Sequence, residues 1–364
     1  MKKRLRVAIL FGGQSAEHEI SLISARNIAA AMDRKKYEII AIAIDKHGRW
    51  FIDEGARLLR ESTPSRVEFR DGSKAAAVLP GSTATPMIRL APRRALGRVD
   101  VVFPVLHGPF GEDGTVQGLL KLANLPFIGA GVLGSAVGMD KDVMKRLLRD
   151  ARIPVPKFLV FERSALGRIN YASVKRTLGL PLFVKPANLG SSVGISKVTN
   201  EKELGRALRE AFGYDNKILL EECILGREIE CSVLGNEKPV ASLPGEIITR
   251  YEFYSYDAKY LDEKGARLIV PARLPKTVVK RIQELALRTF KVLCCEGMGR
   301  VDFFLRGRSE VIVNEINTIP GFTTISMYPK MWQASGISYA ELIDRLIRLA
   351  LERFQREKRI RTSV

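Results

Sequence analysis

The chain has 364 residues, a formal net charge of +19, 46% hydrophobic and 27% charged residues. This balance fits globular domains, and no apolar run approaches the ~18 residues that a membrane span requires. The excess of positive charge admits a nucleic acid, an acidic membrane or an anionic ligand as partner. However, the basic residues are spread along the chain with no RNP-type strand or aromatic-interleaved stripe. The expectation is a solvated basic surface, with neither nucleic acid nor membrane as partner. At this length two or three domains are expected rather than one core.

The N-terminus, Met1-Lys-Lys-Arg-Leu-Arg6, begins like a signal peptide. Val7 to Phe11 is too short for its apolar region, however, and a Gly12-Gly13 turn follows. A cytoplasmic protein opening on a buried strand, Leu5 to Phe11, is expected. A helix pattern runs from about Ala16 to Met32. Strand, glycine turn and helix form the usual opening of an α/β domain, with ligand groups at the helix N-terminus. Glu17, His18 and Glu19 lie in the first helical turn, where acids also suit the helix dipole.

A second strand covers Glu38 to Ile44. Residues 48–97, rich in Arg, Pro, Ser and Gly, read as a peripheral insertion with short strands. Val99 to Leu106 is a further buried strand, ending at His107-Gly-Pro-Phe-Gly-Glu-Asp-Gly114, a polar loop where α/β ligands bind. A helix over Thr115 to Ala123 and a short strand over Pro126 to Ile128 follow. Met139 to Arg152 is an amphipathic helix, ended by Pro154 and Pro156.

The segment Lys185-Pro-Ala-Asn-Leu-Gly-Ser-Ser-Val-Gly-Ile-Ser-Lys197 reads as strand, turn, strand. A hairpin turn needs Gly or Asn. It does not need Ser191 and Ser192 between two glycines with Lys185 at the entrance. Small residues let backbone N–H groups approach a polyanion, and hydroxyls and an ammonium add donors. A phosphate flap and a solvated turn both fit these residues.

Later strands are expected at 228–234, 240–243, 267–270, 299–305 and 310–316, and helices at 276–293 and 338–355. Between Arg250 and Gly265 lies a tyrosine-rich loop long enough to serve as a lid. The four cysteines, Cys223, Cys231, Cys294 and Cys295, lack CxxC spacing, so buried free thiols in a reducing compartment are expected.

In Gly299-Arg-Val-Asp-Phe-Phe304 the two-residue period puts Arg300, Asp302 and Phe304 on one face. In Val311-Ile-Val-Asn-Glu-Ile-Asn317 it pairs Glu315 with Asn317. Polar groups in place of core residues are costly unless paired or metal-bound. Their oxygens suit Mg²⁺ bridging phosphates, and an ion-pair network around Arg300 is the alternative.

Together, Lys185-Pro to Gly194, Glu221-Glu-Cys-Ile-Leu-Gly-Arg-Glu228, Gly299-Arg-Val-Asp302 and Asn314-Glu-Ile-Asn-Thr-Ile-Pro-Gly321 resemble an ATP-grasp ligase. With Gly12-Gly-Gln-Ser-Ala-Glu17, the His107 loop and Tyr256-Asp-Ala-Lys-Tyr260, the chain resembles the D-alanine–D-alanine ligase family, the motifs running in family order from residue 12 to about 329. Residues 48–97 carry no motif of the family, and the strong positive charge is a departure from it.

The resemblance implies an α/β ATP-grasp architecture of three α/β domains. These are a Rossmann-like N-terminal domain (1–138), a central ATP-grasp subdomain (139–219) and a C-terminal metal and substrate domain (220–364). It implies ATP and Mg²⁺, with Mn²⁺ as a substitute, D-alanine as substrate, and a cytoplasmic homodimer. Lys141 and Lys185 match the phosphate lysines, and Asp302, Glu315 and Asn317 the magnesium ligands. Phe183 and Phe304 flank adenine, Ser192 belongs to the ATP flap, Glu221 matches the adenine-side acid and Glu228 the ribose acid. Glu17 matches the residue holding the first ammonium, and Ser326 the one holding the second carboxylate. Arg300 and the N–H of Gly321 match the oxyanion donors, and His107 stands beside the acyl phosphate. Ser191 links Tyr260 to Glu17, while Lys259 and Tyr260 belong to the closing lid. The alternatives are a D-alanine–D-lactate ligase, against which Tyr260 argues, and an ATP-binding regulatory module without ligase activity.

Overall fold

The computed structural model describes residues 4–59, 75–81, 87–90, 94–249 and 266–361. The first part contains β1 (Leu5–Gly12), α1 (His18–Ala31), β2 (Tyr37–Ile44), β3 (Trp50–Phe51) and α2 (Asp53–Leu58). It continues with β4 (Ala76–Val78), β5 (Met87–Arg89), β6 (Arg94–Ala95), β7 (Val101–Val105) and α3 (Thr115–Leu122). The sheet order is β3-β2-β1-β7, with β1 parallel to both β2 and β7. β4, β5 and β6 form a separate small sheet.

The apolar runs of β1 and β7 are buried because helices cover both faces, as a parallel sheet demands. Val7, Ile9 and Phe11 pack with α1, and Ala8 and Leu10 with Val116 and Leu120 of α3. The strand expected at Pro126 to Ile128 reduces to a single bridge from Phe127 to Val102. α2, which the Gly- and Arg-rich composition of this region concealed, lies against β2.

The second part comprises α4 (Val132–Met139), α5 (Lys141–Asp150), β8 (Phe158–Glu162), α6 (Tyr171–Leu178), β9 (Leu182–Pro186), β10 (Ser196–Val198), α7 (Glu201–Tyr214) and β11 (Lys217–Glu222). Its antiparallel sheet has the order β10-β9-β11-β8 and rests on α6 and α7. Asp140 caps α5 by accepting from the N–H groups of Asp142 and Val143, so Lys141 occupies the first turn. Lys217 on β11 holds Asp140 at 2.6 Å and Asp142 at 3.2 Å, which ties that helix start to the sheet.

The third part comprises β12 (Arg227–Gly235), β13 (Val240–Ala241), β14 (Gly245–Thr249), β15 (Ala266–Ile269), α8 (Lys276–Val292), β16 (Gly297–Arg306), β17 (Glu310–Asn317), α9 (Met327–Ala334) and α10 (Tyr339–Glu357). The sheet runs β15-β14-β12-β16-β17, with β13 beside β12. Val301, Phe303 and Leu305 point into a core shared with α8, leaving Arg300, Asp302 and Phe304 on the opposite face. The apolar stripe of α10, Leu342, Ile343, Leu346 and Ile347, joins the core of the first sheet.

Two expectations are corrected. Of the four cysteine thiols, all free, only Cys231 and Cys295 are buried, while Cys294 is exposed. Arg353, which the expected solvated basic surface would leave exposed, is 4% exposed. It donates to the carbonyls of Gly129 and Phe127, the latter at 2.8 Å, and its guanidinium lies 4.4 Å from the Phe127 ring centroid. Two carbonyls and an aromatic face repay its burial. Arg353→Met is expected to lower stability by about 2–4 kcal/mol, since charge-assisted hydrogen bonds and a cation–π contact are lost together. Denaturant unfolding followed by far-UV circular dichroism measures it, and an unchanged midpoint would contradict this account.

Candidate active site

One cavity of about 370 Å³ lies where the three sheets meet, within the range of small-molecule sites. Each wall is explained by local structure. At the end of β1 the chain turns at Gly12, whose φ is +94° and where a Cβ would sit 2.1 Å from the carbonyl oxygen of Ile44. Only glycine fits there. The turn delivers Glu17 to the start of α1, beside the His107 loop.

His107 is buried. Its Nδ1 donates to the carbonyl of Ile319 at 2.9 Å, and Nε2, then the unprotonated nitrogen, has no hydrogen-bond partner among the described residues. Burial lowers its pKa, against the opposing charge of Glu17, so the neutral ring is favoured. Glu112 closes the same clasp, accepting from the N–H of Gly108 at 2.9 Å and of Ile319 at 2.8 Å.

The flap is the expected antiparallel pair, Ser196, Lys197 and Val198 facing Val184, Phe183 and Leu182. Ser191 and Ser192 both adopt left-handed backbone, with φ of 50° and 61°. Such strain, roughly 1–2 kcal/mol for each non-glycine residue, persists where surrounding contacts enforce it. One such contact is the hydrogen bond that the Ser191 hydroxyl donates to Glu17. The second sheet's flap is thereby joined to the turn that follows β1.

Behind the flap, Lys185 donates to Glu221, which also pairs with Lys145 Nζ at 2.5 Å. Burial alone would raise the Glu221 carboxyl, but the two ammonium charges hold it well below the usual carboxylate range. Glu221, the expected adenine-side acid, is thus engaged by lysines and 1% exposed. Lys141 donates to the carbonyl of Leu189 and approaches Glu315 at 3.7 Å. Phe183 lies under Lys185, its ring centroid 5.8 Å from the ammonium.

On the third sheet, Asp302 stands directly opposite Glu315, and Arg300 opposite Asn317. The pairing shifts at Asp302/Phe303, a bulge that leaves Asn314 as the extra residue. Arg300 forms two 2.7 Å bonds to Asp302 and pairs with Glu230 at 3.0 Å. Asn317 donates to Asp302 at 3.0 Å. Glu228 is opposite Phe304. The loop after β17 carries Gly321 and Ser326, and the Ser326 hydroxyl oxygen accepts from Thr323 N–H at 2.9 Å.

The described residues among those singled out in the sequence, from Glu17 to Ser326, all line this cavity. Lys259 and Tyr260 lie outside the described residues, and with them the link from Tyr260 to Ser191. Sequence reasoning passed over Lys145, Glu230, Glu112 and Asn314. Two of these had a signal. Lys145 falls one helical turn after Lys141, among apolar residues, and Glu230 shares a strand face with Glu228.

The carboxylates of Asp302 and Glu315 fit a divalent cation. Arg300 already holds Asp302, the ion-pair network expected as the alternative, and a divalent cation would add to the neutralisation of the directly opposed pair. Asn317 commits its amide nitrogen to Asp302, so its oxygen is the atom it offers. Two carboxylates and an amide form the partial oxygen set that suits Mg²⁺ completed by substrate phosphates.

The serine- and glycine-rich flap, the buried lysines and the opposed carboxylates on antiparallel sheets are arranged as the resemblance to an ATP-grasp ligase implies. The comparisons agree. Residues 6–130 match the family model "D-ala D-ala ligase N-terminus" and residues 147–348 the model "D-ala D-ala ligase C-terminus". The chain belongs to the D-alanine–D-alanine ligase family. It is 53% identical over 360 residues to a D-alanine–D-alanine ligase of Shouchella clausii, covering 99% of this chain and 98% of that one. It is 49% identical over 363 residues to D-alanine–D-alanine ligase A of Escherichia coli K12, covering 100% of both. The solved D-alanine–D-alanine ligase of Coxiella burnetii superposes with a TM-score of 0.86 at 44% identity, covering 98% of this chain and 96% of that one. The VanG D-Ala:D-Ser ligase of Enterococcus faecalis gives 0.83 at 36% identity, with 96% and 100% covered.

Glu112 makes the site's scaffold pH-sensitive. Burial first, and then the charge of Glu17, push its carboxyl from 4.5 up to about 8, only partly offset by its two N–H donors. A raised folded-state pKa contributes stability that is full below the unfolded value and lost as pH rises through the folded one. The melting temperature is therefore expected to decline between pH 5 and 8, and Glu112→Gln to flatten that decline. Parallel slopes for the two proteins in a pH series of thermal melts would contradict the assignment.

Proposed function

We propose that this ligase joins two D-alanines to D-alanyl-D-alanine for peptidoglycan precursor synthesis, splitting ATP to ADP and phosphate through an acyl phosphate. The observation that carries the reading is the meeting in one cavity of buried lysines and opposed carboxylates with Glu17, His107 and the Gly321 loop across the flap. Phosphoryl transfer requires alignment and charge neutralisation more than covalent help.

Lys185 and Lys141 bind the phosphates under the flap, where Ser192 adds a donor. Phe183 and Phe304 sandwich the base, with Glu221 behind it, and Glu228 takes the ribose. Asp302, Glu315 and Asn317 hold Mg²⁺, for which Mn²⁺ substitutes. Bound there, the ion supplies positive charge to the phosphate oxygens. Glu17 orients the first D-alanine by its ammonium. The unprotonated Nε2 of His107 offers it an acceptor beside the acyl phosphate. Ser326 holds the second carboxylate. Arg300 and the Gly321 N–H stabilise the tetrahedral oxyanion that forms when the second amine attacks. Lys259 and Tyr260 belong to the proposed lid, which keeps water from the acyl phosphate.

The proposal extends to a cytoplasmic homodimer. Among the described residues no helix is long and apolar enough to cross a membrane. Exposed Leu122 on α3 and Leu133 on α4 supply apolar surface for a second copy, and sedimentation velocity tests it.

The whole reading is tested by incubating the protein with ATP, Mg²⁺ and D-alanine and measuring phosphate and dipeptide together. Both should appear in equal amounts and stop on chelation of the metal. Glu315→Gln is expected to abolish phosphate release while circular dichroism stays unchanged. Normal turnover of this variant at ordinary Mg²⁺ would remove Glu315 from the metal site. Arg300→Ala is expected to keep nucleotide affinity within a few-fold and to lower kcat by ~10² or more, the usual effect of losing an oxyanion donor. A variant that ligates normally, or that no longer binds nucleotide, would refute the role assigned to Arg300.

A further inference from the structure

Lys145 lies behind the cavity wall. It is 1% exposed, on the face of α5 that carries Met144 and Leu148 into the core. Its ammonium meets Glu221 Oε1 at 2.5 Å and donates to the carbonyl of Asn314, the bulge residue, at 3.0 Å. The other Glu221 oxygen accepts from Lys185. One carboxylate therefore stands between two ammonium groups, one sealed in the core and one at the cavity.

Stability does not account for the second lysine. Lys185 and Glu221 alone would form a neutral buried pair. Adding a third buried charge costs desolvation, and apolar residues of similar volume commonly serve as well or better than buried ions. The triad has a net charge of +1, which a neutral pair would not have. Glu315, which also acts on Lys145, has Lys141 at 3.7 Å.

We infer that Lys145 is a positioning residue that neutralises Glu221 from the core side, so that Lys185 presents an uncompensated charge to the nucleotide phosphates. The same ammonium, through the Asn314 carbonyl, holds the bulge that sets Glu315 opposite Asp302. When phosphate arrives, Lys185 turns part of its hydrogen bonding from Glu221 to the phosphate oxygens, and Glu221 keeps a counterion throughout. The inference rests on the reading of Lys185 as a phosphate ligand, and it adds what makes that lysine available.

The test uses the whole enzyme and the β,γ-imido analogue of ATP with Mg²⁺, titrated by calorimetry, alongside the KM values for ATP and D-alanine. The variants are Lys145→Met, Lys145→Gln, Glu221→Gln, the double variant Lys145→Met with Glu221→Gln, and Lys185→Met. Lys145→Met leaves a paired Lys185 and Glu221 and fills similar volume. Lys145→Gln keeps a donor for Asn314 while losing the charge, and it carries the same comparison if the Met variant does not fold. Both are expected to weaken analogue binding by about tenfold or more, the scale of one charge-assisted hydrogen bond, with the D-alanine KM little changed. Because Lys145 acts through Glu221, adding Lys145→Met to Glu221→Gln should cost little further affinity, which a merely structural role would not produce. Wild-type affinity in the Lys145 variants, or a full additional loss when Lys145→Met is added to Glu221→Gln, overturns the inference. Wild-type affinity in Lys185→Met instead overturns the reading of Lys185 beneath it.

Discussion

The grip on the backbone between Ile319 and Phe322 is the constraint on which the rest of the site depends. His107 and Glu112 hold the carbonyl and N–H of Ile319. Ser24 accepts from the N–H of Phe322 at 3.1 Å, while Asn27 and Tyr339 donate to its carbonyl at 3.0 and 2.7 Å. Five side chains from the first sheet's loop, α1 and α10 thus fix a stretch of loop that follows the carboxylate strand directly. Gly321, whose N–H is the proposed oxyanion donor, lies inside that stretch. A donor fixed in advance needs no reorganisation when charge develops, which is where such groups gain their effect.

The packing beneath the grip is consistent with that rigidity. Phe322 is fully buried and meets Phe103 of β7, Tyr328 of α9 and Tyr339 of α10 at ring-centroid distances of 5.8, 5.7 and 5.9 Å. Edge-on and tilted rings at these distances attract beyond the area they bury. The apolar core that joins α10 to the first sheet and the polar clasp on Ile319 therefore secure the same loop from two sides. The flap on the opposite wall has a different character. Its two left-handed serines sit in a turn that the Ser191 hydroxyl ties to Glu17 of the first part.

Electrostatics divides the site in the same way. Carboxylates are opposed across β16 and β17, and each meets a cation: Arg300 at Asp302 and Lys141 near Glu315. Lysines are opposed across Glu221. Neither arrangement is the cheapest way to fill a protein interior, and both become reasonable when a polyanion with a divalent cation is the intended occupant.

The sequence by itself determined the strands, the turns and the faces of the site. The alternation Arg300-Asp302-Phe304 survives in β16 because a sheet with one buried face has a strict two-residue period. The Gly12-Gly13 turn survives because only glycine fits beside Ile44. Short-range rules of this kind act between neighbours in the chain, so they can be read without the fold. The motifs also identified the family, since they occur in order along almost the whole length. Tertiary structure alone decided the partners. The apparent surface cation Arg353 became a buried tie because two carbonyls some 220 residues away receive it. The helix lysine Lys145 became the counterion of a strand glutamate because α5 packs against the back of the carboxylate strand. The bulge at Asn314 shifted the register by one residue and so decided which carboxylates face each other. Such outcomes depend on which distant groups meet once the chain has closed, and a residue's own neighbours in sequence carry no record of that.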